Sequence, residues 1–221
     1  MRLRNIPGAD QIIAESPYVI HEPEKKKGTW QQIFGNSNPI HIEVGMGKGK
    51  FITEMAKLHP DINYVGIERY TSVLLRAVQK RETLEEIPNL CYLCIDARDL
   101  PLIFEREEVG KIYLNFSDPW PKDRHAKRRL PSREFLARYD QILKRDGAVE
   151  FKTDNRGLFD FALTQAREAG WTLDACTYDL HREEDMMRGN VMTEYEEKFS
   201  GLGNPIHKMI ISRQTGAEKE A

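Results

Sequence analysis

The chain has 221 residues, 40% hydrophobic and 31% charged, with a formal net charge of −2. That composition builds one sizeable core and excludes a fibrous or disordered chain. Apolar runs stop at five or six residues, which excludes a helical membrane span, and the basic start MRLRNIPGADQII has no apolar leader segment, so cytoplasm is the expected compartment.

Residues 1–38 read as an irregular extension broken by Pro17, Pro23 and Gly28, with Trp30–Phe34 docking as a short helix. Residues 39–213 read as a single domain, and 214–221 as a mobile tail. Within the domain, Pro39–Val44 predicts a strand and Gly45-Met46-Gly47-Lys48-Gly49 a turn. Phe51, Ile52, Met55 and Leu58 mark a helix over 50–58. Tyr64–Ile67 predicts a second strand ending at Glu68, and Thr71–Glu86 a helix. Leu90–Ile95 predicts a strand ending at Asp96, and Ile112–Phe116 another. Pro131–Leu143 reads as a helix ended by Gly147, followed by a strand over Ala148–Phe151. A helix over Leu158–Ala169, closed by Gly170, and strands over Trp171–Tyr178 and Ile206–Ser212 complete the series. Such alternation predicts an α/β fold with a mostly parallel seven-stranded sheet and helices on both faces.

Cys91, Cys94 and Cys176 cannot all be paired. The CxxC of Cys91 and Cys94 lies inside a strand pattern and no second ligand pair follows at a suitable spacing, so buried thiols are expected and no metal.

Ligands of parallel sheets bind outside the carboxyl ends of the strands. Glu43, Glu68, Asp96, Asp118 and Asp154 all fall at or just past such ends, so they are expected to converge on one rim. The glycine turn lets a ligand approach the backbone closely, and Glu68, 23 residues after Gly45, suits ribose hydroxyls. A dinucleotide and S-adenosylmethionine both fit a turn of this kind. A pyrophosphate is repelled by nearby carboxylates, whereas S-adenosylmethionine carries a sulfonium and an ammonium. The acids favour S-adenosylmethionine, with Gly45, Gly47 and Gly49 at its backbone and Asp96 near the adenine amino group.

The stretch Asn115–Arg129, NFSDPWPKDRHAKRR, sets a carboxylate, Asp118, at the mouth of a strand and follows it with two stiffening prolines. From Lys122 to Arg133 there are six Lys or Arg against the single acid Asp123, a localised strip suited to phosphates in a chain of near-neutral charge.

Five segments carry a resemblance. Ile42 to Gly49 with Gly66-Ile67-Glu68 resembles the opening of class I methyltransferases. Asn115 to Lys122, the run through His125 and Arg128-Arg129, Phe151-Lys152-Thr153-Asp154-Asn155 and Thr193-Glu194-Tyr195-Glu196 closely resemble the bacterial tRNA (guanine-N7)-methyltransferases. The resemblance implies a Rossmann-like class I methyltransferase fold and methylation of the guanine at tRNA position 46. It also implies S-adenosyl-L-methionine bound by Glu43, Glu68, Asp96 and Asp118, with Lys122, Asp154, Thr193, Glu194, Tyr195 and Glu196 on the target nucleotide. Arg124, His125, Ala126, Lys127, Arg128 and Arg129 would contact RNA. Asp118 is the expected catalytic residue, because guanine N7 carries no proton to remove and the purine turns cationic as it reacts. A class I methyltransferase acting on another RNA, a protein or a small molecule is the alternative, and monomer and homodimer are both open.

Overall fold

The computed structural model describes residues 6–213. The tail at 214–221 lies outside the described residues. The chain divides into two compact units, with the boundary between Glu105 and Arg106.

The first unit begins with α1 (Ala9–Glu15), a 3-10 turn at Pro23–Lys26 and α2 (Trp30–Phe34). It continues with β1 (Ile40–Val44), α3 (Lys50–Leu58), β2 (Asn63–Glu68), α4 (Thr71–Glu82), β3 (Leu90–Cys94) and α5 (Leu100–Ile103). The strands pair in parallel in the order β3-β2-β1. Every residue of β2 is buried, as expected of a parallel strand covered on both faces. Ile42, Ile52, Val65, Leu74 and Leu93 form its core. Helix α4 stops at Glu82, four residues before the predicted end. There the Thr83 amide and hydroxyl both donate to Lys80 O, at 3.2 and 2.8 Å, closing the last turn with a tighter three-residue step.

The stretch before β1 is folded onto this core. Trp30 is fully buried, stacks on Phe104 with centroids 5.0 Å apart, and donates its indole N–H to Ile103 O at 3.1 Å. Val19 forms a parallel bridge with Tyr92 on the outer side of β3.

The second unit contains β4 (Val109–Asn115), α6 (Arg133–Ile142), β5 (Leu143–Thr153), α7 (Arg156–Glu168) and β6 (Trp171–Thr177). Two short helices, α8 (Glu184–Met187) and α9 (Glu194–Ser200), precede β7 (His207–Arg213). Its strand order is β4-β5-β7-β6, parallel between β4 and β5 and antiparallel on both sides of β7. Seven strands thus make the mostly parallel sheet that the alternation predicts.

One boundary differs from the sequence expectation. Helix α6 ends at Ile142, and Gly147 lies inside an eleven-residue β5 instead of closing the helix. A Cβ on Gly147 would fall 2.7 Å from Leu143 Cγ and 2.8 Å from Gly110 O. The glycine therefore marks a close backbone approach, where the β4–β5 register shifts between Val109 and Lys111.

Candidate functional site

In the first unit the carboxyl ends of three parallel strands share one edge, and Glu43, Glu68 and Asp96 lie at or just past those ends. Gly45, Gly47 and Gly49 hold φ values of 78°, 58° and 73°, a region other residues reach only at a cost. Gly45 and Met46 donate their amides to Ile67 O at 2.9 and 3.0 Å. Gly47 N donates to Glu68 Oε2 at 3.1 Å, while Glu68 Oε1 accepts from the amides of Arg69 and Tyr70 at 2.8 and 3.0 Å. One carboxylate therefore ties the glycine loop to the turn after β2. A Cβ on Gly47 would meet nothing within 4 Å, so the loop backbone borders open space.

Glu43 is 1% exposed inside β1. Asp96 caps the turn after β3 by accepting from Arg98 N at 2.9 Å, and its two oxygens take Arg98 Nε and Nη2 at 3.0 and 2.9 Å. Burial pushes the Asp96 carboxyl up, but the Arg98 hydrogen bonds and charge, with Arg69 behind them, outweigh it and hold it below the usual value. An anionic edge beside an open glycine loop fits a cationic, phosphate-free ligand.

In the second unit Asp118 follows β4 and Asp154 follows β5, so these two also belong to ends of paired parallel strands. Phe116 N donates to Lys152 O at 2.8 Å, carrying the ladder one step past β4. Phe116 and Trp120 then take φ values of 51° and 41°. Left-handed backbone at bulky residues costs of order 1–3 kcal/mol each and persists only where the surroundings impose it. Asp118 is exposed between them.

The cationic run forms a 3-10 helix over Asp123–Arg128. Lys122, Arg124, Lys127 and Arg128 are exposed, and His125 and Ala126 half-buried. Trp120, half-buried, lies edge-on to His125 at 5.6 Å and under the Arg128 guanidinium at 5.0 Å. Arg129 is turned inward: Nε and Nη2 both donate to Trp120 O, and Nε also to Pro119 O.

The Thr193–Glu196 segment begins α9. The Thr193 hydroxyl accepts from Glu196 N at 2.9 Å as the N-cap. Tyr195 OH donates to Asp154 Oδ2 at 3.2 Å, and its ring lies 4.9 Å from Phe116 and 4.1 Å from Phe199. Burial and the Asp154 charge push the Tyr195 phenol up, keeping it a donor. Glu194 is exposed. Glu196 is fully buried. Its Oε2 accepts from Lys152 Nζ at 2.6 Å, and its Oε1 from Asn190 Nδ2 at 2.9 Å with His181 Nε2 at 3.3 Å. Lys152 Nζ also donates to Asn190 Oδ1 and Val191 O. Burial pushes the Lys152 ammonium down, and the Glu196 carboxylate opposes that shift.

Each unit therefore brings its own expected residues together: the glycine loop with Glu68 in one, Asp154 with Tyr195 in the other. Sequence reading missed the bracing roles of Arg129 and Glu196 and the whole of α9. The last had a signal, because T-x-x-E is a helix-start signature. Three free cysteines are present, and among the described residues no three His, Cys, Asp or Glu cluster as a metal site. No described helix is long and apolar enough to cross a membrane.

A family model described as "Putative methyltransferase" matches residues 37–209. A relative from Lachnoclostridium phytofermentans named tRNA (guanine-N(7)-)-methyltransferase is 61% identical over 97% of this chain and 99% of its own. One of the same name from Bacillus subtilis (strain 168) is 50% identical over 97% of this chain and 100% of its own. The chain belongs to the tRNA (guanine-N(7)-)-methyltransferase family. Solved structures similar to this family member include the 16S rRNA methyltransferase KamB, with a TM-score of 0.62 at 16% identity over 83% of this chain and 92% of its own. Another is a 16S rRNA (adenine(1408)-N(1))-methyltransferase from Catenulisporales acidiphilia with cosubstrate SAM. It has a TM-score of 0.58 at 12% identity, covering 90% of this chain and 94% of its own. At such identities the likeness carries the fold, which is that of class I methyltransferases.

Proposed function

We propose that this protein transfers a methyl group from S-adenosylmethionine to N7 of the guanine at position 46 in the variable loop of tRNA. The observation that carries this reading is the second unit's arrangement, in a member of this family. Asp118 and Asp154 follow two paired parallel strands, and an exposed cationic run starts four residues after Asp118.

Glu43, Glu68, Asp96 and the backbone of Gly45, Gly47 and Gly49 would hold the donor. Bound there, S-adenosylmethionine supplies an electrophilic methyl on a sulfonium. Guanine N7 offers a lone pair and no proton, so the protein has no base catalysis to perform and works by positioning and electrostatics. Asp118 faces the positive charge that develops on the purine. Asp154, oriented by Tyr195, accepts from guanine N1–H or the exocyclic amine. Thr193 and Glu196 hold the segment that carries Tyr195, and Glu194 and Lys122 would contact the nucleotide. Arg124, His125, Lys127 and Arg128, with the backbone at Ala126, meet RNA phosphates, which position the substrate without selecting the base. An enzyme acting on tRNA belongs in the cytoplasm, the compartment we propose.

The test is methyl transfer to bulk tRNA, to tRNA lacking guanine at position 46 and to free guanosine, with the modified nucleotide mapped in tRNA from cells lacking the protein. Transfer to the first alone supports the reading. Methylation of another RNA, a protein or guanosine in preference to tRNA overturns it. Asp118→Ala is expected to lower turnover by about 10²–10³-fold and to change donor affinity far less.

A further inference from the structure

Arg129 belongs to the cationic run by charge, yet its guanidinium points into its own unit. Nε donates to Pro119 O at 3.0 Å and Trp120 O at 3.3 Å, and Nη2 donates to Trp120 O at 3.0 Å. The guanidinium carbon lies 4.4 Å from the centroid of Phe161 on α7. A rigid planar fork thus grips two consecutive carbonyls while its face stacks on an aromatic ring, a combination that lysine cannot reproduce. The neighbours Arg124, Lys127 and Arg128 are exposed, whereas Arg129 is half-buried.

The gripped loop is one that needs gripping. Phe116 and Trp120 are both left-handed and bracket Asp118. Pro119 and Pro121 bring no N–H with which to tie the loop to itself. The carbonyls that Arg129 holds belong to the two residues immediately after Asp118, so releasing them frees the carboxylate's own backbone.

We propose that Arg129 is a positioning residue that locks the Asp118 loop in its reactive shape, and that it does not contact the tRNA backbone. The proposal rests on the reading of Asp118 as the catalytic group of a tRNA methyltransferase. It assigns the salt-dependent attraction to the exposed members of the run.

Arg129→Lys separates the two roles, because it keeps the charge and loses the fork. A brace predicts that Arg129→Lys and Arg129→Ala both lower kcat about ten-fold or more, with tRNA affinity and its salt slope unchanged. Guanidinium ion at millimolar concentration is expected to restore part of the turnover of Arg129→Ala. Amide hydrogen exchange over residues 116–122 is expected to rise in Arg129→Lys at an unchanged thermal midpoint. A phosphate contact predicts wild-type kcat in Arg129→Lys and a salt slope smaller by about one in Arg129→Ala. Either of these results overturns the proposal. Failure of the wild-type protein to methylate tRNA would instead remove the functional reading, and unchanged exchange over 116–122 in Arg129→Lys would still refute the brace.

Discussion

The two units secure their acids by different means. In the first, Glu68 accepts three backbone amides, and the glycine loop hangs from Ile67 O and Glu68 at the end of β2. In the second, Asp154 is held by a phenol, the segment bearing that phenol by a buried lysine, and the Asp118 loop by an arginine. Backbone clamps arrive with the strand geometry and depend on few side chains. Side-chain braces join residues far apart in the chain, 44 positions for Lys152 and Glu196, and each fails with one substitution. The second unit is therefore the more fragile to point change.

The largest effect expected from this contrast is that of Lys152→Met. It leaves Glu196 buried without its main counter-charge, and stability to urea is expected to fall by about 3–5 kcal/mol. A loss under about 1 kcal/mol would mean that the pair does not hold the Thr193–Glu196 segment. Glu68→Ala probes the other side. Hydrogen bonds to charged groups are worth about 1.5–3 kcal/mol each, so donor affinity measured by equilibrium dialysis is expected to drop about ten-fold or more. An unchanged affinity would show that the glycine loop keeps its shape without the clamp. Thr193→Ala removes only the N-cap of α9 and is expected to cost about 1 kcal/mol. A cost matching that of Lys152→Met would merge the two contributions.

The smallest expected effect is acid sensitivity at Glu150. Burial pushes this carboxyl up, but the ammonium groups of Lys111 at 2.8 Å and Lys208 at 2.9 Å outweigh it and hold it below its ordinary value of 4.5. A depressed folded value means that the stabilisation is complete above the ordinary value and is lost as pH falls through the depressed one. Below about pH 4.5 the wild type is expected to lose stability more steeply than Glu150→Gln. Parallel acid profiles would remove Glu150 from the account.

What the sequence made legible follows the same division. Strand, glycine turn and helix show as periodicity and composition, and the predicted helices over 30–34 and 50–58 match α2 and α3 at both ends. Rim acids could be placed because strand ends could be placed. Gly147 misled because a glycine closing a helix and one admitting a backbone contact inside a strand look alike in sequence. The hydrogen bonds of Arg129 to Pro119 O and Trp120 O had no signal, because charge is visible in a sequence and the direction of a side chain is not. The partners of Lys152 and Asp154 lie about forty residues away, beyond α7, β6 and α8, where no local pattern specifies the pairing.

The bridge from Val19 to Tyr92 has a practical corollary. Tyr18 O accepts from Tyr92 N at 2.8 Å and Ile20 N donates to Tyr92 O at 3.0 Å, so residues 18–20 occupy the outer margin of β3. A protein shortened to begin at β1 would bare that margin as a row of unmet amides and carbonyls, ready to recruit a strand from another molecule. Clumping on expression, more than a modest drop in melting temperature, is the outcome to anticipate from such trimming.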